Sequence, residues 1–333
     1  MNPVALILGN HVIYWNAILI ILGVIACFSV SMALFLSHGG RAIALWLMLP
    51  LSIALSLPLA RFIHWYCHSE KYVSLVRAMT DYSGGGYCLL GVIIGTALAG
   101  LIVYALGFTQ NLRRFFDCFT PGAALGIALI RLSEYFTSSD RGKVVVTNPA
   151  FQRLPFATEM VSGEWRLATF FFQFLMMLLV FILLMRFFVR RRRWPMKASQ
   201  PRDGHVALMF LCWLSAVDLL ADSSRYDASF LRLNGFVSMV QIFSAVTLLA
   251  ILILYSVRSI RANGLCRTHW FLWIGFLLAV SVTGVMEYLV QRHGNWYLMC
   301  YTVMGLMCLT LALIIRAAYR SVCSERKTRR KTA

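Results

Sequence analysis

The sequence predicts an all-α, polytopic membrane bundle of about nine transmembrane helices, N-terminus outside and C-terminus in the cytoplasm. Three observations carry that reading. The 333 residues are 60% hydrophobic and 13% charged, with a mean hydropathy of +0.73, which leaves too few polar side chains to cover a soluble globule. Apolar runs long enough to span a bilayer recur along the chain. Roughly 20 of the 31 lysines and arginines fall in alternate connections, the asymmetry that sets orientation. The formal charge of +18 therefore points to anionic lipid headgroups and away from nucleic acid. Nine cysteines lie mostly within apolar runs and form no C-x-x-C pair, so neither a disulfide framework nor a metal site is implied.

The N-terminal MNPVALILGNHVIYW lacks the basic start of a cleaved signal peptide, so the first run, Val12 to Leu36, is expected to be retained. A second run, Ala42 to Tyr66, contains Pro50 and Pro58, and its outer end carries Arg61 and His64, three apart on one helix face. These two serve either as interfacial anchors beside Trp65 and Tyr66 or as site residues. Residues 67–84 mix apolar positions with Lys71 and Arg77, as an amphipathic segment on the outer surface would. The SGGG that follows permits unusual backbone, or close packing, at the mouth of a third span, Gly85 to Gly107.

The stretch from Cys118 to Gly142 is where function is to be sought. Phe119 to Phe136 is almost wholly small or apolar except for Arg131 and Glu134, which share one helix face. Ionisable residues at membrane depth are costly and usually face a bundle interior or a wet cavity. The alternative is a local ion pair with Arg131 snorkelling to the interface. Thr137 to Arg166 is the longest polar interval, expected outside. Leu167 to Val189 then crosses to RRRRWPMK, the strongest cytoplasmic marker.

The next span, His205 to Ala221, ends in VDLLADSSRYD, whose Asp218, Asp222 and Arg225 would lie on one stripe of a continued helix. Carboxylates at that spacing repel unless a cation or proton separates them, and Arg225 or Arg131 could supply the cation. Gly235 to Val257 brings Gln241 to membrane depth. Two further spans, Trp270 to Val290 and Trp296 to Ala317, lead to a basic tail, and Glu287 reads as an interfacial charge. The chain divides into a membrane domain, 1–263, and an addition, 264–333, expected to pack through apolar faces without contributing chemistry.

Several short motifs, in order, resemble bacterial prolipoprotein diacylglyceryl transferase. LARFIHWYC looks like the family's G-R-x-G-Y, with Arg61 at the arginine and His64 at the tyrosine. SGGGYCLLGVIIG is similar to H-G-G-L-I-G, with Gly86 at the histidine. ALIRLSEYF resembles the signature G-R-x-G-N-F, keeping Arg131 and placing Glu134 at the asparagine. ATFFFQF looks like P-S/T-Q-L-Y-E, with Thr169 retained and Gln173 at the glutamate. DLLADSSR resembles R-x-x-x-E-x-x-R through Asp222 and Arg225, and SMVQIFS is similar to S-M-G-Q-x-x-S through Ser238, Met239 and Gln241. The likeness covers about residues 12–257.

The resemblance implies an inner-membrane enzyme that moves diacylglycerol from phosphatidylglycerol onto the lipobox cysteine of a prolipoprotein, without a cofactor. Such chemistry needs a base to form a thiolate and a cation against the phosphate. Arg131 and Arg225 suit the phosphate because guanidinium binds it bidentately, with Arg61, His64 and Gln241 completing a phospholipid site. Glu134 and Asp222 are the candidate catalytic carboxylates, Asp218 and His64 being further candidates for the base. The alternatives are a catalytically lapsed relative that binds phospholipid or lipoprotein precursors, and an unrelated transporter, which would show an internal repeat.

Overall fold

The structure, a computed structural model, describes residues 3–8, 11–80, 86–137, 141–160, 162–193, 203–230, 236–294 and 296–329. Among these, eight helices are long and apolar enough to cross a membrane, so the protein is multi-pass. They are α1 (Trp15–Ser37), α2 (Ala42–Cys67), α5 (Leu112–Ser133, continued by a 3-10 turn at Glu134–Phe136), α6 (Thr169–Arg193), α7 (His205–Ser224), α8 (Met239–Asn263), α9 (Arg267–Arg292) and α10 (Tyr297–Arg329). The expected third span is shorter, α4 (Leu89–Ala105), and among the described residues the amphipathic segment 67–84 is helical at a 3-10 turn, Ser69–Lys71, and at α3 (Leu75–Thr80). Ser83 to Gly85 of the triple-glycine segment and the WPMK of the basic loop lie outside the described residues.

Val4–Leu8 (β1) and His11–Tyr14 (β2) pair antiparallel ahead of α1, where a plain helical start was expected. The apolar and β-branched residues of VALIL and HVIY suit a strand as well as a span, and Trp15 closes the hairpin by donating its N–H to the Pro3 carbonyl at 3.0 Å. The long connection between α5 and α6 contains β3 (Ala157–Glu159) and β4 (Trp165–Leu167), paired antiparallel.

Two seams of small residues set the helix pairing. A Cβ on Gly122 would stand 2.4 Å from the Cys27 carbonyl oxygen, and one on Gly126 3.1 Å from that of Gly23, so α5 lies against α1 at backbone distance. In the second seam, Cβ atoms on Gly91 and Gly95 would come within 2.3 Å of Ala60 Cα and 2.5 Å of Ser56 Cα, locking α4 to α2. Helices in lipid gain little from apolar burial alone, and such close approach is what small residues provide. The seam on α5 places its Arg131 end inside the bundle.

Gly204 precedes α7 with φ of +93° and has no side chain to cap the helix. Asp117, 1% exposed on α5, supplies the cap from outside: Oδ2 accepts from Gly204 N at 2.7 Å and Oδ1 from Ala207 N at 2.9 Å. Asp117→Ala should therefore lower stability by about 2–3 kcal/mol, two charge-assisted bonds being lost at a buried helix start. Thermal unfolding of detergent-solubilised protein would read the loss, and an unchanged midpoint would count against the cap.

α9 and α10 pack on α7 and α8 around Leu248, Leu252, Phe276, Leu311 and Ile315. At the start of α7 the His205 ring stacks on Tyr319 with centroids 3.5 Å apart, and its Nδ1 lies 2.8 Å from the Tyr255 hydroxyl.

Candidate active site

Arg131 occupies the last turn of α5 and is 7% exposed; its Nη1 donates to Glu134 Oε1 at 2.8 Å. The ion pair anticipated from the spacing therefore forms, and it is enclosed by protein. Glu134 starts the 3-10 turn, and its Oε2 is buried without a hydrogen-bond partner among the described residues. Buried polar atoms in that state are rare enough to call for a ligand or a chemical role.

Facing this pair is the end of α7, where Asp218 and Asp222 lie one turn apart and buried. Asp222 Oδ2 accepts from the Ser238 hydroxyl, and Arg225 Nη1 stands 3.6 Å from its Oδ1. Arg225 has left the helix, with ψ of 140°, so the expected continuous stripe is broken while the contact survives. Arg225 Nε also donates to Asp227 Oδ1 at 3.2 Å. Glu134, Asp218 and Asp222 all act electrostatically on Arg131, and both Arg131 and Arg225 act on Glu134. The structure thus brings the two halves of the predicted site into one buried cluster of two guanidiniums and three carboxylates.

Ser238 and Gln241 form a capping box at the start of α8: Ser238 Oγ accepts from Gln241 N at 3.1 Å, and Gln241 Oε1 from Ser238 N at 2.9 Å. Gln241 Nε2 donates to the Leu219 carbonyl at 3.3 Å. Both ends of the Gln241 amide are thus engaged with protein, and the box aims the Ser238 hydroxyl at Asp222.

Arg61 is 1% exposed; it donates to the carbonyls of Ala78 at 2.7 Å and Gly86 at 3.0 Å and lies over the rings of Tyr72 and Tyr87. His64 Nδ1 is 3.0 Å from the Tyr72 hydroxyl, and its ring stacks on His68. Burial, followed by Lys71, holds His68 below the usual histidine value. Gly86 has φ of +83°, and a Cβ there would stand 2.7 Å from both His64 Cε1 and the Tyr72 hydroxyl, so His64 fills the space a side chain at 86 would take. Asp227 acts on His64 and on Glu134, which makes it the electrostatic neighbour common to both groups.

The connection between α5 and α6 is strapped to the end of α7 by a bridge between Gly142 and Arg225 and by Lys143 N donating to Ser224 O at 2.8 Å. That strap buries Arg141 and half-buries Lys143, two cations which a reading of the sequence leaves in water. Arg141, 6% exposed, donates Nη2 to the carbonyls of Tyr135 at 3.3 Å and Thr137 at 2.8 Å, closing the end of the site helix. Lys143 Nζ donates to Gln291 Oε1 at 2.8 Å, and Gln291 Nε2 to Glu287 Oε1 at 2.6 Å. Burial lowers the Lys143 ammonium from the usual lysine range, with Glu287 and Asp222 opposing the shift. Glu287 is 2% exposed and not the interfacial charge expected, because α10 packs along α9 and Gln291 donates to its carboxylate. Cations in an outer loop read as solvated; only the strand bridge, invisible in the residues' identities, brings these two inward.

The chain matches the family model described as "Prolipoprotein diacylglyceryl transferase" over residues 3–257. It is similar to proteins named phosphatidylglycerol--prolipoprotein diacylglyceryl transferase from Streptococcus pyogenes serotypes M5 (strain Manfredo), M49 (strain NZ131) and M1. Each is 22% identical over 241 residues, which is 72% of this chain and 90% of the relative. With the match covering α1 through most of α8, the chain belongs to the prolipoprotein diacylglyceryl transferase family.

Proposed function

We propose that the protein transfers a diacylglyceryl group from phosphatidylglycerol to the lipobox cysteine of a prolipoprotein, in the bacterial cytoplasmic membrane with its N-terminus outside. The observation that carries this reading is the buried Arg131–Glu134 pair with Glu134 Oε2 left over, beside Asp222 and Arg225. In the reaction the cysteine thiol gives its proton to Glu134 Oε2. The thiolate attacks the terminal glyceryl carbon of the lipid, forming a thioether as the carbon–oxygen bond to phosphate breaks. The electron pair leaves on glycerol phosphate, whose growing charge Arg131 and Arg225 stabilise. Asp222 holds Arg225 in place, Ser238 and Gln241 hold Asp222, and Arg61 and His64 shape the outer rim through Gly86 and Tyr72.

A second reading, a relative that binds phospholipid or lipoprotein precursor without turnover, draws on the same ion pair. A guanidinium already closed on Glu134 has fewer donors free for phosphate. The family assignment runs against a transporter. Expression in cells depleted of their own diacylglyceryl transferase separates the remaining two. Transfer predicts lipoprotein N-terminal peptides heavier by one diacylglyceryl group, whereas phosphatidylglycerol retention with unmodified peptides would replace the transferase by the binder.

A further inference from the structure

The strand that begins at Gly142 is held from three directions, and the third comes from a helix beyond the residues the family model matches. Along one edge it lies on β4: Gly142 N donates to Leu167 O at 2.8 Å, Leu167 N to Val144 O at 3.0 Å and Val146 N to Trp165 O at 2.7 Å. Along the other it pairs with Arg225, as Lys143 N donates to Ser224 O and Tyr226 N to Arg141 O, both at 2.8 Å. The third hold is the Lys143 side chain, whose ammonium lies 5.3 Å from the centre of the Phe230 ring and donates to Gln291 of α9 at 2.8 Å.

The residue at 291 is suited to that contact by its chemistry. An ammonium only donates and a carboxylate only accepts, so one side chain can join Lys143 to Glu287 only if it accepts at one end and donates at the other. The Gln291 amide does both: Oε1 accepts from Lys143, and Nε2 donates to Glu287 Oε1 at 2.6 Å. A carboxylate at 291 would repel Glu287 and a cation would repel Lys143. An apolar residue would strip the bond from a carboxylate that is 2% exposed and whose Oε2 already has no partner among the described residues. Lys143, Gln291 and Glu287 therefore form one strut from α9 to the strand.

What the strut steadies is Arg225. That residue has left α7, with ψ of 140°, and its backbone is set by the bridge to Gly142. Its guanidinium stands 3.6 Å from Asp222 and 3.2 Å from Asp227. Misplacing a catalytic group by about 1 Å can cost about 10²-fold in rate. Lys143 also lies within electrostatic reach of both Glu287 and Asp222. We propose that Gln291 and Glu287 of α9 are positioning residues for the transfer reaction, holding Lys143 and, through it, the strand that sets Arg225 against the leaving phosphate. This rests on the transferase reading for the reaction, and on the hydrogen bonds for the strut itself.

The test uses the full-length protein in nanodiscs, with hydrogen exchange across 141–146 and 224–228 read beside transfer to a lipobox peptide. Gln291→Leu cuts the strut at its middle, and Gln291→Asn, one methylene short, is the milder break if leucine prevents folding. Gln291→Glu combined with Glu287→Gln rebuilds it at the same net charge, the carboxylate at 291 accepting from Lys143 and from the amide at 287. Gln291→Leu should unfold within a few degrees of the parent and speed exchange of the Lys143 and Tyr226 amides about tenfold. It should lower kcat about tenfold and move KM for phosphatidylglycerol less than about twofold, because Arg225 acts on charge that develops as the phosphate leaves. The paired substitution should bring exchange and kcat back to within about threefold of the parent, and in an Arg225→Lys background Gln291→Leu should cost less than about threefold, since both act through one group. Parental exchange in Gln291→Leu would overturn the strut. Faster exchange with parental kcat, or losses that multiply fully with Arg225→Lys, would overturn the positioning role. A parent protein that transfers nothing, with exchange still raised by Gln291→Leu and restored by the pair, would remove the transferase reading and leave the strut standing.

Discussion

Replacing Arg131 with alanine should reduce diacylglyceryl transfer by about 10³-fold, the upper end of what a single stabiliser of transition-state charge contributes. Two effects add at this position. The leaving phosphate loses a bidentate donor, and Glu134, Asp218 and Asp222 lose the cation they share. The second effect also strikes folding, since removing one member of a buried pair costs about 3–5 kcal/mol. Arg131→Lys separates the two, because lysine restores a charge for the carboxylates without the planar fork that phosphate uses. We expect Arg131→Lys to fold like the parent and still transfer at least about tenfold more slowly. Transfer to a lipobox peptide, scored by peptide mass, gives the rate, and thermal unfolding gives the stability. A folded Arg131→Ala protein with parental lipid affinity and turnover would return Arg131 to a purely structural ion pair.

Glu134→Gln should abolish transfer, by about 10²–10⁴-fold, while leaving phosphatidylglycerol retention intact. The amide keeps an oxygen toward Arg131 Nη1, so the contact that positions the turn is preserved in shape. What disappears is the ability of the second oxygen to accept the thiol proton. That oxygen is the buried, unmatched one, so the expected change is confined to turnover. Asp222 is a poorer alternative as base, because both its oxygens are occupied, by Ser238 and by Arg225. Transfer by Glu134→Gln at the parental rate would move the base elsewhere in the cluster.

The spans and their order could be read from the sequence because lipid imposes a uniform demand on every crossing segment. Within the site, the Arg131–Glu134 contact was legible from a spacing of three on a helix, a local rule. The approach of Asp222 and Arg225 to that pair was not, since it depends on how α5, α7 and α8 pack. Arg141, Lys143 and Asp117 were missed for a related reason. Each is drawn inward by a partner far away in sequence, through a strand bridge for the first two and a helix start for the third. Glu287 was misjudged because its position near the end of an apolar run is the usual place for a charge in contact with water, whereas packing of α10 on α9 and the Gln291 amide enclose it.

The attachment of α9 and α10 has a consequence for how such a protein can gain or lose parts. Their apolar contact with α7 and α8 would be replaced by acyl chains if the pair were absent, so in a bilayer its removal leaves no cavity of the kind a soluble core would suffer. What lipid cannot replace are polar fastenings such as the His205–Tyr319 stack near one end and, near the other, the Glu287–Gln291–Lys143 chain and the Tyr301 hydroxyl on the Ser223 carbonyl. The pair is therefore a module whose removal would be felt as altered charge beside Asp222 rather than as a failure to insert or fold. Helices of this kind are positions where an active site can be retuned from its periphery without rebuilding the core.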